Sequence, residues 1–174
     1  LVREGKFEEG LAIAREQVAD GAQMLDVCFD EALLDAPESM RRFLRLLAAD
    51  PDVARVPLVL DSSRFEAVEA GLKESQGRPL VNSLSLKEGE AEFRRLARLT
   101  RRYGASVIVM AFDERGQADS TPRRLEIVAR ARRILNEEGF QDEDIVFALN
   151  VLPIGTGMAD HADYARSFLE ALQL

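Results

Sequence analysis

Cysteine and histidine are nearly missing from this chain of 174 residues: each occurs once, as Cys28 and His161. A lone cysteine closes no internal disulfide, and one cysteine with one histidine falls short of the sets that hold zinc. Positive charge is also scarce, because 23 Lys and Arg stand against 31 Asp and Glu, a net charge of −8. That balance argues against nucleic acid or another polyanion as the main partner. Long apolar runs are absent. Val56-Pro57-Leu58-Val59-Leu60 is of strand length, far below the roughly 20 residues of a membrane span. No signal peptide or anchor is visible, and a reducing cytoplasm is the expected location.

What is present is apolar content of 47%, enough to cover a parallel sheet on both faces, so a single domain over residues 1–174 is expected. The sequence starts at Leu1 and stops at Leu174 on an apolar helical pattern. It is therefore expected to be a segment of a longer protein.

Phe7, Leu11, Ala14 and Val18 make the stripe of an amphipathic helix, with Gly21 placed to close it. Met24–Cys28 is predicted to be a short buried strand. Asp35 and Glu38 form a capping box for a helix burying Met40, Phe43, Leu44 and Leu47. Pro51 and Pro57 bracket a loop before the strand Leu58–Leu60. Ser63 and Glu66 are expected to cap a helix bearing Phe65, Val68 and Leu72, ended by Gly77. Leu80–Leu84 is the next strand, followed by a helix facing inward through Phe93, Leu96, Ala97 and Thr100, and Gly104 separates it from the strand Val107–Met110. Thr121-Pro122 starts a helix that Gly139 closes, Ile145–Phe147 is a fifth strand, and Ala165, Phe168, Leu169 and Leu172 stripe the last helix.

Strands without a polar face, alternating with helices, imply a parallel sheet covered on both sides. An open doubly wound sheet is complete with five strands, whereas an eight-stranded barrel needs about 250 residues. No glycine-rich phosphate loop follows the first strand, which removes the usual signature of a dinucleotide-binding open sheet.

In both architectures ligands bind at the carboxyl ends of the strands. The polar residues there are Asp26 and Asp30-Glu31, Asp61-Ser62-Ser63, Asn82-Ser83, Asp113-Glu114 and Asn150. Carboxylates accept hydrogen bonds in pairs and amides both donate and accept, so the set suits a heterocycle with a cyclic amide and an exocyclic amine, not a phosphate. Acidic residues after strands also cap helices, and for any one member that role weighs at least equally. For Asp61 and Asn82, at the ends of neighbouring strands, ligand binding is favoured.

The stretches Asp30–Asp35, Arg55–Ser63, Val81–Gly89, Arg101–Ala105 and Val109–Asp119 resemble the pterin-binding domain of cobalamin-dependent methionine synthase. The resemblance runs over nearly the whole chain. It implies a (β/α)8 barrel of TIM type, present in part as five parallel strand-helix units after a leading helix, matching barrel strands two to six. It further implies 5-methyltetrahydrofolate as substrate, with its methyl group passed to cob(I)alamin on another domain and on to homocysteine. Partners are then the cobalamin-binding and homocysteine-binding domains, and exposed sheet edges add possible self-association. The pterin contacts of the family fall on Asp61 and Asn82. Asp26, Asp113 and Asn150 complete the candidate set.

Two departures stand out. Cys28 occupies the place of a family asparagine, and Ala148-Leu149 occupies that of an Asp-Pro pair, with Asn150 retained. A non-catalytic or redesigned barrel fragment that has lost pterin binding is thus an alternative. A dihydropteroate-synthase-like enzyme is a lesser one, since it needs basic residues at the strand ends. Cys28 is expected to be a packed, inert thiol and His161 a structural residue at the start of the last helix. Gly155-Thr156-Gly157 fits a turn as well as an anion loop. The pairs Arg41-Arg42, Arg94-Arg95, Arg101-Arg102 and Arg132-Arg133 are expected to be solvated.

Overall fold

The computed structural model describes residues 2–153, 157, 158, 161 and 163–174. Helix α1 (Phe7–Ala19) buries Phe7, Leu11, Ala14 and Val18, which recur every three or four residues on one face. It stops where Gly21 turns to φ +104 and Ala22 donates its N–H to the Gln17 carbonyl. There follow β1 (Leu25–Cys28), α2 (Ala36–Ala49), β2 (Leu58–Asp61), α3 (Phe65–Glu74), β3 (Leu80–Leu84), α4 (Glu90–Arg102) and β4 (Ser106–Met110). Two short strands, β5 (Phe112–Asp113) and β6 (Gly116–Gln117), precede α5 (Thr121–Glu137), β7 (Ile145–Ala148) and α6 (Tyr164–Leu172).

Strands β1, β2, β3, β4 and β7 make the parallel sheet. Their alternation with helices is the order of a partial (β/α)8 barrel. Strands β5 and β6 form a small antiparallel ribbon that the hydrophobic pattern did not reveal. No helix among the described residues is long and apolar enough to cross a membrane.

The chain divides into two units, Leu1–Ser83 with Arg102–Ser106, and Leu84–Arg101 with Val107–Leu174. In the first, Leu25 and Val27 of β1 and Leu60 of β2 share a core with Val81 of β3, Met40, Leu44 and Leu47 of α2 and Val68 of α3. Helix α3 approaches so closely that a Cβ on Gly71 would lie 2.9 Å from Met40 Cγ and 3.1 Å from Leu60 Cδ1. Helix α2 is capped as expected at one half of the box, where Asp35 accepts the Glu38 N–H at 3.0 Å. The Glu38 carboxylate instead pairs with Arg41.

Four expectations for this unit are corrected. Strand β1 is not apolar on both faces: Leu25 and Val27 are buried while Asp26 and Cys28 are exposed, because side chains alternate and only one face meets the helices. Cys28 is therefore not a packed thiol. Ser63 does not cap α3, whose N-cap is Arg64 one residue later, and the Ser63 N–H donates to Asp30. Helix α3 also ends at Glu74, before Gly77.

In the second unit, α4 buries Phe93, Ala97 and Thr100, and α5 buries Ile127, Ala131, Ile134 and Leu135. The arginine pairs are largely exposed, as expected, and the excess of carboxylates engages several of them. Arg94 meets Glu90 at 2.7 Å and Glu138 at 2.9 Å, and also reaches Glu137, while Arg132 pairs with Asp142. In the first unit Arg42 lies 4.3 Å over the Phe7 ring.

The last helix differs most from its pattern. Its buried positions are Ser167 and Ala171, while Leu169 and Leu172 are 59% and 57% exposed. The cause is Arg124, fully buried, whose guanidinium donates to the Leu149, Asn150 and Asp119 carbonyls and to Ser167 Oγ at 2.7 Å. A buried charge needs acceptors more than a leucine stripe needs cover, and the helix is turned to supply one. His161 precedes α6 with its ring 4.9 Å from that of Tyr164. Gly155 and Thr156 lie outside the described residues.

Candidate functional site

Parallel pairing in register sets partner residues on the same face of the sheet. Cys28 of β1 is the partner of Asp61 of β2, and Asp61 is the partner of Asn82 of β3. The three side chains form a row across the carboxyl ends of neighbouring strands, spaced by roughly 4.8 Å per strand. One step back along the same face come Asp26, Val59 and Leu80. A polar row results, with an apolar floor beneath Asp61 and Asn82. It suits a flat heterocycle that lies on Val59 and Leu80 and turns its hydrogen-bonding edge to Asp61 and Asn82.

Electrostatics separates the carboxylates. Burial, then the charge of Asp26, raises the pKa of Asp61, and Asp30 adds to the rise, while a hydrogen bond from the Cys28 thiol opposes it. Cys28 is exposed, yet partial loss of hydration at the strand end raises its pKa against an opposing bond from the Asp30 N–H, with the Asp61 and Asp30 charges adding to the rise. Such a thiol is a poor nucleophile. For Asp30 burial acts upward, but the Ser62 hydroxyl, the Ser63 N–H and the Arg64 charge outweigh it and hold the group below its usual range.

The loop behind the row is tightly tied. Ser62 Oγ donates to Asp30 Oδ1, the Ser63 N–H donates to Asp30 Oδ2 at 2.6 Å, and the Ser62 N–H donates to the Asn82 carbonyl at 3.3 Å. The Asn82–Ser83 peptide is cis. A cavity of about 400 Å³, lined by Arg3, Cys28, Phe29, Asp30 and Glu31 among others, reaches the Cys28 end of the row but not Asp61 or Asn82. The row itself lies on an open face.

The sequence candidates fall into two groups. Asp26, Asp61 and Asn82 share one face of the first unit. Asp113 and Asn150 belong to the second unit. There both Asp113 oxygens are taken by Arg123, at 2.8 and 2.9 Å, and the Arg115 N–H donates to one of them. Arg123 holds its pKa down at about 2. Asn150 sits at the carboxyl end of β7 with φ +53, a left-handed conformation that asparagine tolerates, and its carbonyl accepts from Arg124 at 3.2 Å. Ala148 ends β7 and Leu149 is buried.

Sequence reasoning missed the engagement of Asp113 by Arg123 and the tie from Asp30 to Ser62. The run Asp61-Ser62-Ser63 was a signal for the second, since hydroxyls directly after a strand seek a carboxylate. A family model described as pterin binding enzyme matches residues 2–174.

Proposed function

The chain belongs to the family of pterin binding enzymes, and on that footing we propose that it presents 5-methyltetrahydrofolate for methyl transfer to cob(I)alamin held by another domain, and on to homocysteine. The observation that carries this is the placing of Asp61 beside Asn82 at the strand ends, in register and on one face. A carboxylate receives the exocyclic amine and ring N–H of a pterin as a pair, and the amide of Asn82 serves a neighbouring ring nitrogen or carbonyl.

Burial and the charge of Asp26 raise the pKa of Asp61, and the approach of two N–H donors favours its ionised form. Val59 and Leu80 keep water from one ring face. Cobalamin, when bound, supplies the nucleophile that takes the methyl group. Residues of this chain bind and orient, holding the methyl-bearing ring in one pose, which is the larger part of what a transfer between two bound partners needs. His161 stacks on Tyr164 and is not assigned to cobalt.

Asp26, Asp30, Glu31 and Asp61 make the ends of β1 and β2 acidic, which disfavours the diphosphate-bearing substrate of a dihydropteroate-synthase-like enzyme. A non-catalytic chain without pterin binding is the alternative, favoured by Ala148 and Leu149 where the resemblance calls for Asp-Pro. Calorimetric titration separates the three. Saturable binding of 5-methyltetrahydrofolate below millimolar supports the proposal, and tighter binding of a dihydropterin diphosphate supports the synthase-like function. No saturation with either leaves the non-catalytic one.

A further inference from the structure

We infer that Asp30 is a positioning residue, which aims Asp61 and Asn82 by clamping Ser62 and Ser63 across the loops that follow β1 and β2. The inference rests on the function proposed above.

Asp30 has a firm base. Phe29 before it is buried and meets Phe43 of α2 edge to face, with ring centroids 5.7 Å apart. From that base the carboxylate reaches the next loop with both oxygens: Oδ1 accepts the Ser62 hydroxyl and Oδ2 accepts the Ser63 N–H at 2.6 Å. Ser62 is buried and bonded on every side, its Oγ accepting the Arg64 N–H at 3.1 Å and its own N–H donating to the Asn82 carbonyl at 3.3 Å. Ser62 follows Asp61 directly, so fixing Ser62 fixes the peptide from which the Asp61 side chain departs. The bond to the Asn82 carbonyl carries the same restraint to β3.

Helix capping does not account for this arrangement. Asp30 lies in the loop after β1, and helix α3 takes Arg64 as its N-cap without a side-chain bond. A residue of one strand end instead spans to the next strand end and grips it at two adjacent positions. Two charge-assisted bonds to one carboxylate restrict the loop more than either alone.

The test uses the 174-residue chain with 5-methyltetrahydrofolate as probe, in D30A, D30N, S62A and the D30A/S62A double variant. Thermal melting and circular dichroism establish that each is folded. D30A is expected to weaken binding about tenfold or more. D30N keeps an acceptor for the Ser63 N–H and an amide for Ser62 Oγ, so it should recover most of that loss. If Asp30 acts through Ser62, the double variant binds no worse than about the weaker single one.

Hydrogen exchange at the Ser63 amide gives a readout that needs no ligand, and it should be faster in D30A and not in D30N. Unchanged affinity in D30A, or unchanged Ser63 exchange, overturns the inference while leaving the pterin function standing. Failure of the wild-type chain to bind the probe removes the proposed function, and the inference falls with it.

Discussion

Single residues carry the chemistry, and identical side chains here behave differently. Asp61 has its pKa raised by burial and by Asp26, so it contributes stability below the unfolded carboxylate value that is lost as pH rises through its folded value. In the proposed function its ionised form is the one that binds. Affinity for 5-methyltetrahydrofolate should therefore fall as pH drops through the raised pKa, and D26N should move that fall to lower pH, as a pH series of titrations would reveal. Asp113 is the reverse case. Arg123 depresses its pKa to about 2, so its contribution is complete above the unfolded value near 3.8 and vanishes as pH falls through about 2. D113N should remove on the order of 2 kcal/mol of neutral-pH stability and flatten the acid limb of denaturation. Thr100 is fully buried, and its hydroxyl has no hydrogen-bond partner among the described residues. T100V should raise the denaturant midpoint by the equivalent of about 1 kcal/mol.

Elements were legible wherever apolar spacing alone decides burial. The stripes of α1 and α4 and the five sheet strands followed from hydrophobic periodicity and glycine placement. Elements governed by polar demand were not legible. The α6 stripe was misplaced because Arg124, hidden in the middle of α5, dictates which face turns inward. Strands β5 and β6 are two residues each and turn through Glu114 and Arg115 without the usual Asn-Gly signal. Strand β1 resembled a buried run, yet its alternate positions Asp26 and Cys28 face outward. For the site, register was the missing information: the sequence placed Asp61 and Asn82 at strand ends, but only pairing shows that Cys28 completes their row. Two substitutions probe packing at this scale. R124M strands the acceptors around it and should cost about 3 kcal/mol or more, with α6 becoming susceptible to proteolysis first. G71A forces a methyl group against Met40 and Leu60 and should cost about 1–3 kcal/mol in chemical denaturation.

At the scale of the whole molecule, a chain of net charge −8 uses its arginines largely for internal pairing, and it belongs to a family of pterin binding enzymes. The acidic balance favours a ligand edge rich in N–H donors over a phosphate. The two departures from the methionine synthase pattern, at Cys28 and at Ala148-Leu149, leave the strands that carry them intact. The central claim is that Asp61 and Asn82 together hold the pterin edge. Calorimetric titration of the wild-type chain, D61A and N82A with 5-methyltetrahydrofolate tests it most directly. Saturable sub-millimolar binding by the wild type, weakened roughly tenfold to a hundredfold in each variant with folding unchanged, is the predicted result. Equal affinity in all three chains would contradict it.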